Sequence, residues 1–259
     1  MSEPRYNVPG LERGLRVLQL FDRHRKVLGA AEMARALAIP RSTAFRLAQT
    51  LEHLGYLHRE GDAYRVGPAV LRLGFEYLAS LELTDLARPI LERLRDESGC
   101  SAQLVIRDGR DVVVVLKAAA PSTFASNVNV GTRMPAHATI LGRVLLCDAD
   151  DRTLAALYPE SALPQVSAKS PESVAELKRL LREDRARGYA VSESFFEQGI
   201  SAVAAPVRNE TGAIVAAISI TVQRPTLEPA DLRERLAQQV LRSAGELSHQ
   251  LNYRPAAAA

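Results

Sequence analysis

The stretch IPRSTAFRLAQTLEHLGYL, residues 39–57, decides how the rest of this chain is read. Proline suits the first position of a helix, where its missing N–H has no intrahelical partner. The pattern predicts a helix from about Pro40 to Leu54, with Ala44, Leu47, Leu51 and Leu54 as its buried stripe. Gly55 supplies a left-handed cap. Opposite the stripe lie Arg41, Ser42, Thr43, Phe45, Arg46, Gln49 and Thr50. Such a face suits the DNA major groove: arginine pairs bidentately with guanine, glutamine with adenine, small hydroxyls meet phosphates or bases, and an aromatic ring touches a thymine methyl. A capped surface helix in a bundle is the competing reading. The flanking segments weigh against it.

Upstream, Leu11, Leu15, Leu18 and Phe21 recur at helical spacing after the break Pro9-Gly10. A second short helix spans 30–37, with Met33, Ala34 and Leu37 inward. Downstream, residues 56–59 and 63–66 are short alternating runs around Glu60-Gly61-Asp62, a hairpin pattern. Three helices and a hairpin make the order of a winged helix-turn-helix. His58, Arg59 and Arg65 on the wing are candidates for backbone or minor-groove contact. Residues 69–83 read as a helix linking this part to the rest.

The second part opens with a helix over 84–98, closed by Gly99. Segments 102–107 and 112–117 are apolar and β-branched across Asp108-Gly109, a hairpin signal. Residues 121–130 read as loop with a possible strand. A helix is expected over 138–147, and another from Ser170-Pro171-Glu172 to Gly188, with Val174, Leu177 and Leu181 inward. Strands follow at 189–193, 201–207 and 213–221, the last two joined by a turn at Asn209-Glu210-Thr211-Gly212. A helix from 229 to 251 closes the domain, and 253–259 read as a disordered tail. The expected class is α+β, an antiparallel sheet with its helices to one side.

Composition fits this organisation. At 259 residues, two domains are the natural division. The net charge of +3 lies in residues 1–83, with 12 Lys and Arg against 9 Asp and Glu, while 84–259 balance at 21 of each. Residues 33–51 carry Arg35, Arg41 and Arg46 and no acid, a basic cluster on a nucleic-acid-binding pattern. Cys100 and Cys147 offer neither a disulfide framework nor metal-ligand spacing. No metal or cofactor is expected. The first ten residues have no apolar core of a secretory signal, and no apolar run approaches the ~20 residues of a membrane helix. A reducing cytoplasm is the expected setting.

In order along the chain, LERGLRVLQLFD (11–22), IPRSTAFRLAQTLEHLGYL (39–57), YRVGPAVLRLG (64–74), VGTRMPAHATILGRVLL (130–146), RGYAVSESFFEQGISAVAAPVRN (187–209) and GAIVAAISIT (212–221) resemble the IclR family of bacterial regulators. The resemblance implies a winged helix-turn-helix at 8–68, a linker helix at 69–83, and an effector-binding, oligomerising domain at 84–252 similar to the GAF fold. It implies homodimers, often paired as tetramers, a pseudo-palindromic double-stranded DNA operator, and control of catabolic operons by small organic acids. Carried over position by position, it places Thr139, Ile140, Leu141, Ser192, Ile200, Ala202, Ser219 and Thr221 at the effector. Ser192 stands where the family usually has an acid, and Arg143 where lysine is more usual.

The residues support this independently. A helix N-terminus favours a carboxylate, Ser219 and Thr221 share a strand face, and Ile140, Leu141 and Ile200 can hold a carbon skeleton. Ordinary core packing is the competing reading for the apolar three, and helix capping for His137. An enzyme would need a reactive constellation. No G-x-S-x-G, Walker loop, G-x-G-x-x-G or H-E-x-x-H occurs, and Gly199-Ile200-Ser201 only superficially resembles a nucleophile turn. Activation and repression use the same parts, and aromatic acids and small keto or hydroxy acids both fit, so the sequence leaves those choices open.

Overall fold

In the computed structural model, which describes residues 6–22, 25–79, 82–121, 128–194 and 198–254, the chain divides into two units, Met1–Ser80 and Leu81–Ala259. The first holds α1 (Pro9–Gln19), β1 (Val27–Gly29), α2 (Ala30–Leu37), α3 (Arg41–His53), β2 (Leu57–Glu60), β3 (Ala63–Val66) and α4 (Ala69–Ala79). The expected hairpin forms, with Leu57 opposite Val66 and Glu60 opposite Ala63. The sequence reading missed β1, which adds to the outer edge of β3. Val17, Leu28, Met33, Ala44, Ala48, Leu57 and Tyr64 make the buried centre of this unit.

Three local expectations are corrected. Pro9 and Gly10 form the first turn of α1 rather than preceding it. Leu11 and Leu15 are 64% and 52% exposed, because α1 meets the core through Val17, with Leu18 and Phe21 packed beside it. On α3, Pro40 is the N-cap and Ala48 replaces Leu54 in the buried stripe. Leu54 lies beyond the last helical residue and is exposed. Gly55 then takes the left-handed conformation, at φ +78°.

The second unit begins with α5 (Glu82–Ser98), then β4 (Ser101–Asp108), β5 (Asp111–Ala118) and β6 (Arg133–Pro135). A 3-10 turn at Ala136–Ala138 leads to α6 (Ile140–Leu146), α7 (Asp151–Leu157) and α8 (Val174–Arg187). Strands β7 (Ala190–Glu193), β8 (Ser201–Arg208) and β9 (Ile214–Val222) precede α9 (Ala230–Gln250). The six strands form one antiparallel sheet in the order β6-β5-β4-β9-β8-β7. Both faces are buried. α5 and α9 pack on each other and on the sheet. The face that carries Ala204 and Ala217 packs instead with α6, α7 and α8, so helices cover two sides rather than one.

Sequence reading passed over β6 and α7. It also placed two helix starts too early. Thr139 is extended and caps α6. Ser173 caps α8 by accepting the Glu176 N–H. Ser170 instead closes a turn, accepting N–H groups from Val166 and Ser167. Most of the expected loop at 121–130 and residues 255–259 of the expected tail lie outside the described residues. Tyr253 is hydrogen-bonded back to the Ser248 carbonyl.

Candidate functional site

On α3, Arg41, Ser42, Phe45, Arg46, Gln49 and Thr50 are exposed and Thr43 is half-buried. Positions 41, 42, 45, 46 and 49 recur at helical spacing, so they share one face. The side chains of Arg41, Arg46 and Gln49 have no hydrogen-bond or ionic partner among the described residues. Thr50 is different: its hydroxyl donates to the Arg46 carbonyl at 2.9 Å. On the wing, His58 faces Arg65 across the strands. Arg59 donates to the Gly61 carbonyl, and Arg65 lies 3.7 Å from Glu60. An open groove joins Arg41, Ser42 and Phe45 to Arg59, Asp62 and Tyr64. The structure thus brings Arg41, Ser42 and Phe45 of the helix and Arg59 of the wing to one groove, while Thr43, Arg46, Gln49, Thr50, His58 and Arg65 lie outside its lining. Phe45 and Arg41 bring a ring and a charge to that groove, and arginine and glutamine are side chains of the kind that pair with base edges.

In the second unit, Thr139, Ile140, Leu141, Ser192, Ile200, Ala202, Ser219 and Thr221 all line one cavity of about 70 Å³, several times the ~10–15 Å³ that one water requires. Gln103, Val128 and Met134 complete the lining, and the sequence reading missed them. Gln103 was the one visible signal, a polar residue inside an apolar strand. Strand register explains the convergence. Ser192, Ala202, Thr221 and Ser101 are opposed across β7, β8, β9 and β4, and Ala190, Ala204, Ser219 and Gln103 form the next row. Directly opposed residues share a face of the sheet.

α6 roofs these rows. Thr139 accepts the Gly142 N–H at 3.1 Å, which leaves the first two N–H groups of the helix without intrahelical partners. A Cβ on Gly142 would stand 2.0 Å from the Ala136 carbonyl oxygen, so only glycine lets α6 pack on the preceding 3-10 turn. Arg143 fixes the back of the helix through a buried, bidentate pair with Asp184 of α8, at 2.7 and 3.1 Å. Ser219 is fully buried and its hydroxyl oxygen has no partner among the described residues.

Among the described residues no acidic side chain lines the cavity. Glu193, next to Ser192, points its carboxylate to the Leu227 N–H and to Arg233. The Leu227 N–H holds that carboxyl below the usual range. His137 is buried outside the lining and its Nε2 is bonded to the Pro164 carbonyl, which lies in a loop, so the expected helix-capping role is not what it performs. Burial pushes the Cys147 thiol up to about 12 and raises Cys100 as well, which suppresses the reactive thiolate of each. The Ser201 hydroxyl is committed to the Arg224 carbonyl at 2.7 Å.

The model of the IclR helix-turn-helix domain matches residues 10–61. That of the bacterial transcriptional regulator IclR C-terminal domain matches residues 75–249. This chain belongs to the IclR family. As an IclR-family chain it is a transcriptional regulator with a DNA-binding helix-turn-helix. It is 30% identical to the Pca regulon regulatory protein of Pseudomonas putida over 93% of its own length and 83% of that protein. A structure described as a transcriptional regulator from Rhodococcus sp. RHA1 is similar at a TM-score of 0.83 and 32% identity, covering 95% of this chain and 99% of that one. An IclR homolog from Microbacterium hydrocarbonoxydans, solved with 4-hydroxybenzoate, is similar at 0.81 and 25% identity, over 94% and 99%. No helix among the described residues is long and apolar enough to cross a membrane.

Proposed function

We propose that this chain regulates a catabolic operon by binding a pseudo-palindromic operator as a homodimer, and that a small organic acid in the cavity controls it. The observation that carries the effector half is the Ser219 hydroxyl, fully buried, unpartnered among the described residues and lining a cavity. A buried hydroxyl without a partner is unfavourable by roughly 1–3 kcal/mol, so a ligand oxygen placed there recovers what folding left unmet. Ser219, Thr221 and the first-turn N–H groups of α6 hold the carboxylate, while Ile140, Leu141 and Ile200 hold the carbon skeleton. The ligand of the Microbacterium homolog, 4-hydroxybenzoate, favours an aromatic acid.

The division of labour is DNA contact at 8–68, a linking helix at 69–83 and effector binding at 84–252. Arg41, Ser42, Thr43, Phe45, Arg46, Gln49 and Thr50 meet the major groove, and His58, Arg59 and Arg65 flank it. The linking segment is the covalent path between the units. A ligand shifts DNA affinity only if it binds one arrangement of the protein better than another.

The test is a thermal-shift screen of organic acids, followed by gel shifts on the operator with and without the hit. A ligand at 100 times its Kd stabilises the native state by about 2.7 kcal/mol. An acid that raises the melting temperature and changes operator affinity supports the reading. Stabilisation by neutral molecules alone, or a hit with no effect on operator affinity, overturns it.

A further inference from the structure

The row that forms the cavity floor does not end at Gln103. Lys117 of β5 stands opposite Gln103, which stands opposite Ser219. Opposed residues share a face, with Cβ atoms about 4.5–5.5 Å apart, so Lys117 continues the row on the cavity side. Its ammonium donates to the Val128 carbonyl at 2.5 Å, and Val128 is itself a lining residue. An ammonium carries three donors, and that bond uses one. Among the described residues Lys117 has no carboxylate partner. The polar groups of the cavity wall, Gln103, Thr139, Ser192, Ser219 and Thr221, are all neutral. A partly buried cation therefore stands beside a cavity that, among the described residues, holds no counter-charge. Burial alone holds its ammonium below the ordinary lysine range.

We propose that Lys117 is the charge-selecting residue of the cavity: it pairs with the carboxylate of the effector and makes the site favour acids over neutral molecules of the same shape. A carboxylate taken from water into an apolar cavity is strongly disfavoured unless a charge and hydrogen bonds meet it. The Lys117–Gln103–Ser219 row offers a cation, an amide and a hydroxyl in sequence. The apolar side chains of Ile140 and Leu141 line the same cavity for the rest of the ligand. This rests on the effector reading above, and it adds the residue that sets the charge preference.

The experiment compares matched acids and amides on the full chain: benzoate with benzamide, and 4-hydroxybenzoate with 4-hydroxybenzamide. Affinities are measured by calorimetry for wild type, Lys117→Gln and Lys117→Arg, with Ser219→Ala and Thr221→Val alongside. Wild type is expected to bind the acid of a pair at least about tenfold tighter than its amide. Lys117→Gln should remove that preference and leave the amide unchanged, while Lys117→Arg keeps it. Equal loss of acid and amide in Lys117→Gln would mean that the lysine only anchors the backbone at Val128, and would overturn the proposal. So would an undiminished acid affinity in Lys117→Gln alongside losses in the Ser219 and Thr221 variants, which leaves the cavity reading standing. Loss in none of the variants removes the cavity itself. A wild type that prefers the amides, or binds neither acid, overturns the proposal without any variant having to fold.

Discussion

Ser219 and Thr221 lie two apart on β9 and face one cavity, yet they differ in what folding asks of them. Ser219 is fully buried with an unpartnered oxygen, whereas Thr221 is half-buried. Ser219→Ala removes the unmet hydroxyl, so the ligand-free protein should gain about 1 kcal/mol of stability. The same change should weaken effector binding, by about 0.5–1.5 kcal/mol for a bond to a neutral group and up to about 3 for one to a carboxylate. Thr221→Val should lower affinity over the same range without the gain in stability. Calorimetric unfolding and ligand titration of both variants check this. A Ser219→Ala protein that is both less stable and undiminished in affinity would show that the hydroxyl serves packing alone.

At the scale of elements, α3 and the α6–α8 pair make opposite demands on charge. The arginines of α3 are exposed and free of partners among the described residues, so removing them should leave the fold alone. Arg41→Ala and Arg46→Ala are each expected to weaken operator binding by roughly 1–3 kcal/mol with unchanged circular dichroism, and Gln49→Ala to alter sequence preference. Normal operator binding by both arginine variants at moderate salt would refute the assignment of the recognition helix. Arg143 is the reverse case. It is buried against Asp184, and Arg187 shares the same carboxylate. Asp184→Ala leaves a cation buried without its partner, a loss of about 3–5 kcal/mol, and frees the helix that roofs the cavity. Denaturant midpoints should fall accordingly, with effector affinity falling too. A midpoint close to wild type would mean that the pair is replaceable by solvent.

For the whole molecule, specificity argues for two copies. One recognition helix reads few bases, and two-fold symmetry doubles the contacts. The first unit also leaves apolar side chains uncovered, Leu11 and Leu15 on α1 and Leu71 and Leu73 on α4, which makes α1 and α4 the expected dimer surface. Sedimentation of the full chain should show a dimer or a tetramer, and Leu11→Glu or Leu71→Glu should shift it toward monomer and weaken operator binding. A monomer with and without DNA would contradict this.

What the sequence by itself determined was set by signals within a few residues of each other. Apolar spacing placed the helices, Gly55 and Gly188 ended two of them in the left-handed region, and Asn209 closed the β8–β9 turn through its own side chain. The family motifs likewise named eight residues that line one cavity. Tertiary structure decided what local signals share equally. Ser170 and Ser173 are both competent caps. Ser173 takes the role because 161–163 pairs beside it, with Leu163 N–H bonded to the Glu172 carbonyl and Val174 N–H to the Ser161 carbonyl. Val27–Gly29 and Arg133–Pro135 are too short to show alternation, and are strands only because β3 and β5 offer them an edge. Lys117 and Gln103 meet across the β4–β5 hairpin, but Ser219 joins their row from β9, far along the chain. Register between distant strands follows from which faces the helices bury, so no local pattern in β4 or β9 carries the pairing of those two strands.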